Sequence, residues 1–406
     1  MIQAVKRMVG FLCLIGILTI LSGCQSTNYA SLPDSYNKET DYPYTFLSAN
    51  EIAIAPVENG YYYVEGDFLF FLDGTSKEMA VVCNRPDCKH QYETDSKEVW
   101  KCDGYLGGVN FCNVQVYEGA VYTLTRGSTE NDVLDLGAGN KLTKISLDGT
   151  KREDIRPVSI TQGFAQPLRL HRGYAYYVAD DKEKQALYRF PIDDPQAKVE
   201  TVYSIEGNIS GFIPYGNHVY IHAEGNILDY SITENQVHLL KEKYTLDGIY
   251  KDQLLVRSND RPIEKPLIGE YELLDRSTKE LSPFISLDTK DSADVVHLNT
   301  DGEQFFEWRV PLADVADTKY VEGPTYQFSV LDEQGTNLFS APVSLLRNNV
   351  IVFAPGDERF AFIWSIDYYE TGNVMLDLID KENGFARTNV FTCNQKVLNP
   401  DVSSLK

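Results

Sequence analysis

Beyond residue 24 the chain has no apolar run near the ~18 residues a membrane-crossing helix needs, so nothing later in it is read as such a helix. It is also short of positive charge. Lys and Arg total 37 against 59 Asp and Glu, for a formal net charge of −22. That balance argues against nucleic acid, which calls for a basic stripe, and against electrostatic adhesion to anionic lipid. Helical periodicity is missing too, apart from room for one short turn near Leu312 to Asp317. No G-x-S-x-G, H-E-x-x-H, P-loop or G-x-G-x-x-G signature occurs in a strand-turn-helix context, and no EF-hand spacing. These absences remove the usual positive marks of an enzyme. A site assembled from distant strands would leave no such mark, so enzyme activity stays open while the balance leans against it.

What the chain does have is aromatic residues in strand-like runs, led by 26 Tyr. Residues 167–194 show the pattern. Leu168 to His171 leads to a turn at Arg172-Gly173, Tyr174 to Val178 runs back, and Ala186 to Ile192 runs out to Asp193-Asp194. A fourth strand over Lys198 to Tyr203 completes an antiparallel meander. Similar units begin at Asn59-Gly60, Glu118-Gly119, Tyr215-Gly216, Lys251-Asp252, Asp301-Gly302 and Pro355-Gly356. Each has a turn, an aromatic strand, and a second strand ending in an acidic or Gly turn. The intervals are close to the ~40–50 residues of a propeller blade. An isolated meander cannot bury both faces, so closure into a ring is expected. The reading is an all-β chain, a β-propeller of about seven four-stranded blades over 45–395, with six or eight blades as alternatives. Residues 396–406 are left as a tail. Loops Gly127 to Asn140 and Arg261 to Gly269 are expected on the rim or one axial face.

The N-terminus reads separately. Lys6 and Arg7 precede an apolar stretch, Phe11 to Leu21, and then Leu21-Ser22-Gly23-Cys24. This resembles the lipobox of bacterial lipoproteins. The resemblance implies a signal peptide over 1–23, cleavage before Cys24 and acylation of the Cys24 thiol. It also implies anchorage to the lipid bilayer at the outer face of the bacterial cytoplasmic membrane, two acyl chains sufficing for a stable hold. Residues 24–44, polar with Ser, Thr, Asn and Pro33, read as a tether holding the domain off the membrane.

Seven cysteines occur. With Cys13 in the signal and Cys24 lipidated, Cys83, Cys88, Cys102, Cys112 and Cys393 remain. Four of these fall in an insert over 83–112, which opens VVCNRPDCKH. Cys83, Pro86, Cys88 and His90 there resemble the C-x-x-P-x-C-x-H…C insert of propeller-type, TolB-like extracytoplasmic lipoproteins of Gram-positive, largely clostridial bacteria. Cys102 departs from that pattern by following His90 at a longer gap. The resemblance covers the lipobox, the insert and, loosely, the repeats, and it implies no particular activity. Three readings of the insert stand side by side. Cys83, Cys88, His90 and Cys102 match a structural zinc site in ligand type. The same thiols suit disulfides outside the reducing cytosol, for example Cys83 or Cys88 with Cys102. They also suit buried free thiols. In each case the insert acts as a staple, and a catalytic Cys88–His90 pair has no further activating group to support it. Cys112 and Cys393 read as core residues, or as a pair if the last unit closes on the first.

His218 and His222 share a strand face but stand too far apart for one ion. His171, His238 and His297 are solitary. Most Asp residues, such as Asp180-Asp181 and Asp193-Asp194, close turns. Trp308, Tyr368 and Tyr369 read as packing between blades, or as platforms for a sugar or peptide. The functional expectation is a membrane-anchored binding or scaffold protein presenting a propeller face to a peptide, a glycan or a partner protein. The alternatives are a cell-wall or carbohydrate-active hydrolase or lyase on the same scaffold, and a solute receptor beside a transporter.

Overall fold

The computed structural model describes residues 29–44, 54–90, 101–107, 114–126, 140–158, 168–181, 183–260, 270–287, 294–311, 325–344, 350–366 and 373–394. The strands fall into seven sheets, each made of four consecutive strands paired antiparallel. Blade 1 holds β1 (Ile54–Val57), β2 (Gly60–Glu65), β3 (Phe68–Asp73) and β4 (Met79–Val81). Blade 2 holds β5 (Val114–Tyr117), β6 (Ala120–Arg126), β7 (Asn140–Ser146) and β8 (Arg152–Pro157). Blade 3 holds β9 (Arg169–His171), β10 (Tyr174–Asp181), β11 (Lys184–Pro191) and β12 (Glu200–Ile205). Blade 4 holds β13 (Ile209–Tyr215), β14 (His218–Ala223), β15 (Asn226–Ser231) and β16 (Gln236–Lys241). Blade 5 holds β17 (Tyr244–Tyr250), β18 (Gln253–Ser258), β19 (Glu270–Asp275) and β20 (Leu281–Ser286). Blade 6 holds β21 (Asp294–Thr300), β22 (Phe305–Pro311), β23 (Thr325–Leu331) and β24 (Asn337–Ser344). Blade 7 holds β25 (Val350–Pro355), β26 (Phe360–Ile366), β27 (Asn373–Asp380) and β28 (Ala386–Asn394). The molecule is a seven-bladed β-propeller.

The first strand of each blade is innermost. β1 lies against β5, β5 against β9, and β9 against β13. Second strands are almost wholly buried, as in GYYYVE of β2 and HVYIHA of β14. Fourth strands such as β8 and β12 are mostly exposed. This explains why the aromatic residues follow the first turn: they sit where both faces of the blade meet neighbours. Apolar clusters fill the interfaces between successive blades and between blade 7 and blade 1. Among the described strands, none from one end of the chain completes the blade at the other end. Among the described residues, the ring closes through the side-chain cluster between blade 7 and blade 1.

The strand direction defines two axial faces. The tight first hairpins of all blades lie on one, called here the hairpin face. Second hairpins and blade-to-blade crossovers lie on the other, the loop face. The hairpins at Glu118-Gly119 and Arg172-Gly173 carry positive φ at both central residues, the backbone that matches strand twist. The connections 127–139 and 261–269 join β6 to β7 and β18 to β19, so both start and end on the loop face. The residues of those connections, like Leu312 to Asp317, lie outside the described set.

The reading of 24–44 as a tether needs correction over residues 29–44, residues 24–28 lying outside the described set. Residues 29–44 pack along the hairpin face, and Asp41, Tyr42 and Tyr44 are buried. The polar composition that suggests a free tether here serves hydrogen bonds to the blades.

Candidate metal centre

The insert begins where β4 ends. Val82 donates its N–H to Leu69 O at 2.9 Å and Cys83 to Val81 O at 2.8 Å, which keeps the chain beside β3. A tight turn follows, with Cys88 N–H bonded to Arg85 O at 3.2 Å. Pro86 lies inside that turn, where its fixed φ suits the geometry. His90 then takes a left-handed backbone, φ 52°, uncommon for a residue with a side chain. The chain returns at residues 101–107 on the same strand. Leu69 N–H donates to Gly104 O at 2.8 Å, Leu106 N–H to Asp67 O at 2.7 Å, and Tyr105 bridges Phe68. Gly104 is required for this approach, since a Cβ there would stand 2.5 Å from Val81 Cγ1 and 3.0 Å from Val82 O. The Arg85 guanidinium closes the gap by donating to Lys101 O.

These two loops bring Cys83, Cys88, His90 and Cys102 together. One ligand atom from each lies within 4.8 Å of all the others. His90 Nδ1 is 3.7 Å from Cys102 Sγ. In a tetrahedral site with Zn–S bonds of ~2.3 Å, ligand sulfurs stand about 3.8 Å apart, so the cluster is of the right size. Cys102 is buried and the other three are half-buried. Burial pushes the Cys102 thiol well up, and the neighbouring Cys88 and Cys83 sulfurs push it further. A divalent cation would reverse that effect, because it stabilises thiolates directly. Asp103 Oδ2 lies 3.8 Å from Cys83 Sγ and accepts the Asn84 N–H at 3.4 Å, a second layer of support. Cys83, Cys88, Cys102 and Cys393 are all free thiols here. The four-membered cluster can hold a metal ion. The imidazole contacts Cys102, the residue whose gap departs from the resembled motif. Cys393 packs half-buried against the blade 7–blade 1 cluster. Cys24, Cys112, Tyr368 and Tyr369 lie outside the described residues, and Trp308 and His297 are described in backbone only.

The sequence reading missed a second constellation, on the hairpin face. Arg172, at the first turn of blade 3, is fully buried together with Asp41, and its Nε donates to Asp41 Oδ1 at 2.8 Å. Its other nitrogens donate to Asp41 Oδ2, Pro33 O, Ser35 O and Asn217 Oδ1. His171 accepts the Tyr42 N–H on Nδ1 at 3.1 Å, so Nε2 carries the proton and donates to Gly216 O at 2.8 Å. Burial lowers its pKa to about 4. His218 is the opposite case. Burial alone would lower its pKa, but Asp229 at 2.7 Å and Asp34 at 3.4 Å outweigh that and raise it to about 9. His218 and His222 therefore share no ion, and His218 holds Asp34 of the N-terminal segment to blade 4. Tyr29 stacks over Gly173, where a Cβ would lie 2.4 Å from its ring, and its hydroxyl donates to Glu118. Beside the segment a cavity of about 360 Å³ remains, bordered by Tyr36, Tyr44, Tyr215, Lys251, Glu303 and Glu358.

No family model matches the chain, and no curated protein matches it in sequence. Solved structures do match in fold. A prolyl endopeptidase is 10% identical with a TM-score of 0.52, over 87% of this chain and 50% of that one. Prolyl oligopeptidase B from Galerina marginata is 10% identical with a TM-score of 0.52, over 90% and 52%. TolB from Acinetobacter baumannii is 15% identical with a TM-score of 0.38, over 83% and 77%. The chain spans about half the length of the two peptidase structures. The similarity to the two peptidase structures is one of fold.

Proposed function

We propose that this is a membrane-anchored, extracytoplasmic binding or scaffold protein that meets its ligand on the loop face. The observation that carries this reading is the segment docked on the hairpin face: residues 29–44 lie over blades 2 to 5 there, pinned by the buried Arg172–Asp41 pair, with a cavity of about 360 Å³ beside them. The loop face keeps the crossovers, and connections of this kind are where propellers and similar rigid scaffolds carry recognition. The Cys/His centre orders the longest of these, between β4 and β5, and zinc is the metal whose ligand set it matches. Its role is structural, since four protein ligands leave no open position for substrate.

Acylation of Cys24 provides the anchor. Only four residues separate Cys24 from Tyr29, a reach of at most about 18 Å. The docked segment therefore turns the hairpin face toward the bilayer and the loop face outward, toward a peptide, glycan or partner protein. The lipobox and the C-x-x-P-x-C-x-H insert support this address, in line with the lipoproteins they resemble.

The test is a binding screen of the chain from residue 25 against peptide arrays and cell-wall glycans, with charge reversals on each face. Asp181→Arg or Lys243→Glu, both on the loop face, should weaken a hit about tenfold or more, the ~1.4 kcal/mol of a lost contact. Glu303→Arg and Glu358→Arg on the hairpin face should leave it unchanged. The reverse pattern would reject the loop face as the binding surface. Separately, Cys24→Ala should release the protein from membranes.

A further inference from the structure

The interface between blade 7 and blade 1 differs from the other six. Every other pair of neighbouring blades is joined by the chain itself, whereas no described strand is shared across this pair. Tyr61 meets Phe362 edge-on at 4.9 Å, and its hydroxyl donates to Asp357 at 2.5 Å. Phe391 of β28 lies 5.0 Å from Phe70 and 5.8 Å from Tyr63. Trp364 Nε1 donates to Glu65 at 2.8 Å. Lys77 sits over the Phe360 ring at 3.8 Å. Cys102 belongs to this same apolar cluster, and Cys83 and Cys88 pack against it. On its other side the insert is tied to blade 2, with Asn84 Nδ2 donating to Asp148 O at 2.6 Å and Arg152 Nη1 to Tyr105 O at 2.8 Å.

We infer that the Cys83–Cys88–His90–Cys102 centre is the clasp of the ring: a bound divalent metal fixes the insert as the outer wall of the blade 7–blade 1 seam, and metal occupancy sets how firmly the ring closes. The inference rests on the metal reading above. The physics is local. Without metal, three thiols and an imidazole are left crowded together at the margin of an apolar cluster, and the two loops that carry them are held by a handful of hydrogen bonds. With metal, four bonds cross-link those two loops on blade 1, at the margin of the seam cluster. An interface that no described strand crosses opens at the cost of its side-chain contacts, so it is the one most sensitive to a change at its margin.

The test is hydrogen exchange on the full chain, as isolated with its metal and after chelation, with metal content measured on both samples. Loss of metal should speed amide exchange at least tenfold in β1–β3, β26 and β28, and leave β14, β15 and β18 in blades 4 and 5 unchanged. Zinc added back should restore protection in the wild type and not in Cys88→Ser. Faster exchange confined to residues 82–107, or spread evenly around the ring, would overturn the clasp while leaving the metal site intact. A chain isolated without metal, with an exchange pattern that zinc does not alter, would overturn both.

Discussion

Arg172 has the most exacting environment of any side chain described here. Its guanidinium is fully buried, as is Asp41, and it reaches the backbone of Pro33 and Ser35 as well. Removing one member of such a pair leaves an uncompensated buried charge, at a cost of ~3–5 kcal/mol. Asp41→Ala should therefore lower unfolding stability by that amount in a denaturant titration, or release residues 29–44 to proteolysis if the segment undocks alone. The two histidines beneath the segment predict its pH range. His218 is raised to about 9, so its contribution is complete below its unfolded value near 6.5 and is lost as pH climbs through 9. His171 is lowered to about 4, so stability falls as pH drops from about 6.5 through 4, where the unfolded chain binds the proton more readily. Docking should be firmest near pH 6.5. Proteolysis of the segment across pH checks this, and His218→Gln should flatten the alkaline limb while leaving the acid limb in place.

At the scale of elements, much was legible in the sequence. Turn residues and alternating aromatic runs mark the strands because blade geometry demands both. Unit three, read from Leu168 to Tyr203, folds as β9 to β12 with ends within a few residues. The Cys/His cluster was legible as a ligand set, but its geometry was not. That geometry depends on Gly104 letting residues 101–107 return onto β3, a contact no spacing rule encodes. Gly104→Ala should push this segment off β3 at a cost of ~1–3 kcal/mol and weaken metal retention, read by competition with a chelating dye. The docked segment was not legible. Ser, Asn, Pro and Asp compose tethers and capping segments alike, and Arg172 looked like an ordinary hairpin residue because its partner lies some 130 positions away. Solitary His171 was silent for the same reason: its partners are backbone groups of distant segments.

At the scale of the whole molecule, no described strand is shared between the first and last blades, and the N-terminal segment straps the blades on the opposite side of the ring. Residues 29–44 span the hairpin face over blades 2 to 5, through Glu118, Arg172, Asn217 and Arg276. The Cys/His insert packs on β3 of blade 1, at the margin of the apolar cluster that fills the seam. Truncation to residue 28 should leave thermal stability unchanged. Truncation to residue 44 should lower the melting temperature clearly, by exposing Arg172 and His171 to solvent. Both rest on a propeller whose interblade clusters are otherwise continuous.

The measurement that tests the centre most directly is metal content and thiol reactivity on one sample of the full chain. The account predicts one zinc per chain, with Cys83, Cys88 and Cys102 unreactive until a chelator is added. No metal, with those three thiols reacting freely or two of them joined in a disulfide, would contradict it.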